Sequence, residues 1–222
     1  MVMEYCPSMD LFTYVAEQAT VGDEPLCHAL FLQIVNTLNY MHETHKMAHL
    51  DIKLENIVVD EHYLLRLIDF AYCERVDARM HISKGTERYF APEVARIFYQ
   101  RQVWYPNSLI EKPSYIAEKA DVFSIGILLF TMFFGTPPFR QNDPQREPLL
   151  HYLCSNDLAT AEIFFQHHEL TRIPNMKGRI SLGLKRLLVK LLPFKPESRP
   201  KLSDVIAHDE WVAKGANGKM LP

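Results

Sequence analysis

From His49 to Ala71 the chain reads HLDIKLENIVVDEHYLLRLIDFA, and this stretch constrains the fold more than any other. Two short apolar runs, Ile57-Val58-Val59 and Leu64-Leu65-Arg66-Leu67-Ile68, flank the polar turn Asp60-Glu61-His62, which predicts a β-hairpin. With the turn centred between Glu61 and His62, antiparallel pairing sets Asn56 opposite Leu67 and Asp69 opposite Leu54. An amide and a carboxylate then leave the ribbon at the same end. Asp51 lies in the loop entering the hairpin, so three oxygen-bearing side chains are expected to converge. Hard oxygen ligands of this kind suit magnesium, which is commonly held by one or two protein groups plus substrate phosphates. Lys53, close to Asp51, supplies the positive charge that a transferring phosphoryl group requires. The same residues also suit turns, in the case of Asp51 and Asn56, or a helix cap, in the case of Asp69. For a bare D-x-K-x-x-N that is the commoner arrangement.

The remainder of the chain narrows the setting. At 222 residues, 48% hydrophobic and 23% charged, it is long enough to close a core as one domain or one large piece of a domain. Lys and Arg total 24 against 27 acidic residues; a net charge of -3 offers no broad attraction to nucleic acid or anionic lipid, so phosphate chemistry has to be local. Cys6, Cys27, Cys73 and Cys154 form no CxxC pair, which argues against a zinc ribbon or disulfide framework and for a reducing, intracellular setting, with the cytoplasm expected ahead of the nucleus. SIGILLFTMFFG, from Ser124 to Gly135, is too short for a membrane span and is expected as a buried helix. The opening MVMEYCPSMD lacks the basic region of a signal peptide. Asp23-Glu24-Pro25 starts a helix whose apolar positions Leu26, Leu30, Ile34, Leu38 and Met41 carry it to about His45. From Ala120 onward the pattern is helical in pieces broken at prolines. His42, His45 and His49 share helical spacing, but nothing completes a tetrahedral metal set. His167-His168 and the Lys201 region have the character of solvated helix surface.

Taken together, these strings resemble the protein-kinase family over nearly the whole chain. HLDIKLEN is similar to the catalytic loop and DFA to the metal-binding DFG motif, in the order in which protein kinases carry them. The resemblance implies that Asp51 is the base accepting the substrate hydroxyl proton, Lys53 the γ-phosphate contact, and Asn56 and Asp69 the Mg2+ ligands. MVMEYCPSMDLF resembles the hinge, implying Met3 as gatekeeper, Glu4 and Cys6 as adenine contacts and Asp10 near the ribose. Val58 would be the adenine floor, and Glu55 joins the nucleotide-side residues. GTERYFAPE, from Gly85 to Glu93, resembles the end of the activation segment. Thr86 falls where serine/threonine kinases bridge base and lysine, implying ATP as phosphate donor and a protein Ser or Thr as acceptor. DVFSIG resembles the start of the central helix, whose Asp121 props the catalytic loop, and Arg199 is the implied ion-pair partner of Glu93. The fold implied is a mainly α, kinase-like C-terminal lobe: a helical bundle with a small β-hairpin carrying the catalytic and metal-binding loops. Residues 1–12 are the hinge segment, 13–212 the lobe, with an activation segment at 69–93 and an insertion at about 95–118, and 213–222 a tail.

Four departures accompany the resemblance. The 48 residues before His49 leave no room for an N-terminal lobe, none of the eight glycines forms G-x-G-x-x-G, and the earliest lysine is Lys46. The expected partner lobe lies upstream, and a polypeptide of these residues alone should be nearly inert in phosphate transfer. Leu50 stands where most kinases carry the arginine that receives an activation-loop phosphate, so activity should not depend on phosphorylation near Ser83. Ala71 replaces glycine and narrows backbone freedom at the metal motif. The aromatic-rich insertion at about 95–118 is a tolerated surface loop or a docking surface. The alternative function is a non-catalytic, pseudokinase-like scaffold.

Overall fold

A computed structural model describes residues 6, 9–100, 113–140, 147–171 and 180–213. Asp10 starts the first helix, α1 (Leu11–Ala16), by accepting the Thr13 N–H at 2.8 Å. Asp23 does the same for α2 (Glu24–Tyr40), accepting the Leu26 N–H at 3.0 Å ahead of a proline in the first turn, where no amide is needed. The expected helix thus forms, and its last part, Met41–His45, widens into a π-turn that ends at Lys46 in the left-handed conformation.

The chain then lays down short ribbons: β1 (Met47–Ala48), β2 (Ile57–Val59), β3 (Leu65–Leu67), β4 (Glu74–Arg75), β5 (Arg79–Met80) and, after α3 (Pro92–Gln100), β6 (Tyr115–Ile116). The predicted hairpin is β2–β3. Its register is one residue away from the expected one: Ile57, not Asn56, faces Leu67, and Val59 faces Leu65. The chain reversal is therefore centred on His62, half a residue beyond the expected midpoint between Glu61 and His62. Asp60 closes it, its side chain accepting the His62 and Leu64 amides at 2.8 and 2.9 Å while Tyr63 takes φ 60°. Those amides, Leu64 foremost, and Arg66 hold the Asp60 carboxyl below the usual carboxylate range. The pairs β1–β4 and β5–β6, both antiparallel, have no counterpart in the sequence pattern. Two-residue strands carry no alternation of their own, and their partners lie far away in sequence.

The centre of the molecule is α4 (Ala117–Phe134), buried over nearly its whole length and ended by Gly135 at φ 72°. It packs on α2 and on α7 (Leu182–Leu191), with α5 (Leu150–Leu153), α6 (Leu158–Thr171), α8 (Leu202–His208) and α9 (Glu210–Ala213) completing the helical body. The buried helix expected at Ser124–Gly135 is therefore its core. Among the described residues no helix is long and apolar enough to cross a membrane. His168 is a correction: rather than facing solvent with His167, it is buried among Phe130, Phe134 and Phe164, its ring stacked 4.7 Å from that of Phe164. An imidazole is flat and part apolar, so aromatic packing overrides the polar look of the dipeptide.

Candidate active site

The loop from His49 to Asn56 is held from behind by one carboxylate. Asp121, fully buried on α4, accepts the His49 N–H at 2.7 Å and the Leu50 N–H at 2.8 Å, and His42 Nε2 lies 2.9 Å from its Oδ2. These bonds keep Leu50 at φ 64°, a left-handed conformation costing a leucine about 1–2 kcal/mol. His49 Nδ1 accepts the Asp51 N–H at 3.2 Å, so its Nε2 bears the proton and donates to the Ile68 carbonyl at 3.1 Å. His42 and His49 thus brace the loop, while His45 lies edge-on to Tyr40.

Asp51 is 5% exposed and is the hub of the site. Its Oδ1 accepts the Thr86 hydroxyl at 2.7 Å; its Oδ2 accepts Lys53 Nζ at 2.8 Å and Asn56 Nδ2 at 3.1 Å. Lys53 also donates to Thr86 Oγ1 at 3.0 Å, and Asn56 Nδ2 to the Asp51 carbonyl at 2.9 Å. With the amide nitrogen of Asn56 spent on Asp51, its Oδ1 remains as a hard acceptor. Ile68 is clasped at both ends, its N–H donating to the Asn56 carbonyl at 2.9 Å and its carbonyl accepting from His49. Asp69 follows immediately, so its backbone is pinned beside Asn56 despite the shifted hairpin register. The Asp69 side chain is exposed and its Oδ1 accepts the Ala71 N–H at 3.4 Å, so it also caps the short turn Phe70–Tyr72.

Two residues essential to this geometry have no role in the sequence pattern. Gly85 has φ 99°, and a Cβ there would fall 2.2 Å from the Leu50 carbonyl oxygen. Only glycine lets the segment approach closely enough for Thr86 to reach Asp51. Tyr89 accepts the Leu54 N–H at 3.4 Å and its carbonyl accepts Ser124 Oγ at 2.8 Å; burial pushes its hydroxyl well above its ordinary pKa, keeping it neutral. A glycine directly before Thr86 was the available signal for the first; Tyr89 offered none.

The expected nucleotide-side residues are spread more widely. Met3 and Glu4 lie outside the described residues, and Cys6 is half-buried. Asp10 bridges Val58 on β2, but its side chain is engaged as the α1 cap, with a second bond from Thr13 Oγ1 at 2.7 Å. Val58 is half-buried and Glu55 exposed.

The expected Glu93–Arg199 pair is present and bidentate, at 2.6 and 2.8 Å. It ties α3, at the end of the segment bearing Thr86, to the helical body.

A family model described as the protein kinase domain matches residues 1–212. The chain belongs to the protein kinase domain family. Among curated relatives it is 29% identical over 220 residues to maternal embryonic leucine zipper kinase of Xenopus tropicalis, covering 97% of this chain and 28% of that protein. It is 29% identical over 223 residues to CBL-interacting serine/threonine-protein kinase 10 of Arabidopsis thaliana, covering 98% and 39%. It is 26% identical over 225 residues to serine/threonine-protein kinase ppk16 of Schizosaccharomyces pombe, covering 100% and 28%. The chain thus spans between 28% and 39% of the length of these relatives.

Proposed function

We propose that this kinase-family chain carries the catalytic half of an ATP-dependent protein serine/threonine kinase site. The observation that carries the reading is the closed Asp51–Lys53–Thr86–Asn56 cluster around a nearly buried carboxylate. Asp51 is oriented as an acceptor for a substrate hydroxyl proton, and Lys53 sits where it can offset charge on a transferring phosphoryl group. Thr86 joins the two and positions an acceptor Ser or Thr. Asn56 Oδ1 and the Asp69 carboxylate fit Mg2+, a cation satisfied by few protein groups when phosphates supply the rest; once bound, it neutralises phosphate charge. Hinge contacts at Met3, Glu4 and Cys6, ribose contact near Asp10, a floor at Val58 and a nearby Glu55 complete the proposed nucleotide side. The activation segment is 69–93, and the lobe boundaries are 13–212.

The test is phosphate transfer from ATP to a generic Ser/Thr substrate by the full-length protein. Asp51→Asn should lower kcat by about 100- to 10,000-fold, the range spanned by general acid–base catalysis. Undiminished transfer by Asp51→Asn would rule out the assignment. A polypeptide of these 222 residues alone is expected to transfer little or no phosphate, because it contains no glycine-rich phosphate lid.

A scaffold function is favoured by one observation: Leu50 is 7% exposed and packed in the hydrophobic core. That reading gains if the full-length protein neither binds MgATP nor transfers phosphate, while Asp69→Ala leaves its cellular role intact.

A further inference from the structure

The segment from Val76 to Thr86 is anchored at both ends to the frame that holds Asp51, and each anchor is made by the chain's own groups. At its near end Ala117 N–H donates to the Ala78 carbonyl at 3.1 Å and Glu118 N–H to the Val76 carbonyl at 3.1 Å; β5 pairs with β6, and Tyr115 Oη donates to the Ile82 carbonyl at 3.1 Å. Residues 115–118 run straight into α4 and Asp121. At the far end three consecutive residues each meet the frame: one reaches β4 and two meet the loop itself. Lys84 Nζ pairs with Glu74 Oε1 at 2.7 Å, Gly85 lies against the Leu50 carbonyl, and Thr86 bonds Asp51. Glu74 sits on β4 opposite Ala48, the residue immediately before His49. The Lys84 side chain is only 18% exposed, so its charge is largely committed to Glu74, itself 38% exposed. Nearby cations are engaged elsewhere: Arg75 by Asp77 at 3.0 and 3.2 Å, Arg79 by Ser114 Oγ at 3.1 Å. Leu50 brings no charge at all.

We propose that the Lys84–Glu74 ion pair is a built-in positioning latch, which holds Thr86 on Asp51 without any phosphate on the segment. The inference rests on the kinase reading for its effect on catalysis, though the latch itself is a structural claim. Lys84 and Glu74 are positioning residues. They act on the reacting groups through Gly85 and Thr86.

The test uses the full-length protein with Lys84→Met, Glu74→Gln and the exchanged pair Lys84→Glu with Glu74→Lys. Hydrogen exchange at residues 81–86 reads the latch without reference to catalysis. Each single variant should speed exchange there about fivefold or more, and the exchanged pair should return it most of the way. Raising ionic strength should loosen the parent toward the single variants while leaving those nearly unchanged. In phosphate transfer the single variants should lose about tenfold in kcat with the KM for ATP nearly constant, as expected when positioning alone is lost. Ser83→Ala should keep parental activity. Unchanged exchange in both single variants, or no recovery in the exchanged pair, overturns the latch. A gain in activity on phosphorylation of Ser83 overturns the claim that no phosphate is needed. If the parent transfers no phosphate but exchange responds as described, the latch stands and the kinase reading fails.

Discussion

Gly85 shows how much a single residue decides here. Its positive φ and the 2.2 Å approach that a Cβ would make to the Leu50 carbonyl act together, and neither can relax without moving a backbone. Gly85→Ala should therefore cost at least about 2 kcal/mol in denaturant unfolding, and should lower phosphate transfer further by pulling Thr86 from Asp51. A stability change below about half a kcal/mol would mean that the segment tolerates a larger separation from the loop. Residue identity was well legible at this scale where several side chains share one short string. Asp51, Lys53 and Asn56 lie within six consecutive positions, so local chain geometry alone brings them near each other. Lys84 and Glu74 were not legible as partners: they lie ten residues apart in a stretch with no periodicity to place them on one face.

Among elements, α4 determines where the loop sits, because Asp121 supplies acceptors for two successive backbone amides and faces His42. Asp121→Ala strands buried groups at all three and removes what balances the strain at Leu50. The expected loss is about 3 kcal/mol or more, read as a lowered denaturation midpoint, with Asp121→Asn intermediate because it keeps one acceptor oxygen. Equal stability of Asp121→Ala and the parent would show that water replaces the carboxylate. The helix from Glu24 was the most legible element, since capping Asp23 and the apolar spacing from Leu26 to Met41 are local signals, whereas Ala95 and Ile97, read as part of a surface insertion, are buried on α3, and Tyr115 at the far end of that stretch is buried on β6. The hairpin was legible in its existence but not its register. The one-residue difference lay in how the Asp60 side chain folds onto His62 and Leu64, which composition does not reveal.

At the scale of the molecule, Arg199 joins parts of the chain that are 106 residues apart. It is 1% exposed, and its three nitrogens are all engaged: Nε by the Pro193 carbonyl, and the terminal nitrogens by Glu93, the Lys119 carbonyl and the Phe194 carbonyl. Its guanidinium also lies 4.9 Å from the Phe123 ring centroid. Arg199→Leu leaves Glu93 unpaired in a largely buried place, for which the expected cost is about 3–5 kcal/mol. Thermal unfolding should then occur roughly 10 °C lower. Arg199→Lys should rescue only part, because a point charge cannot occupy the same fork of acceptors.

The sequence alone determined the helix that begins at the Asp23 cap, that Ser124–Gly135 lies in the core, and that Asp51, Lys53 and Asn56 lie close together, because capping, periodicity and short-string order are properties of neighbouring residues. Tertiary structure decided the hairpin register, the β1–β4 and β5–β6 pairings, the burial of His168 and the Lys84–Glu74 contact. Each of these depends on which distant backbone or ring arrives alongside, and that is set by how the helices pack around α4 rather than by the preference of any one segment.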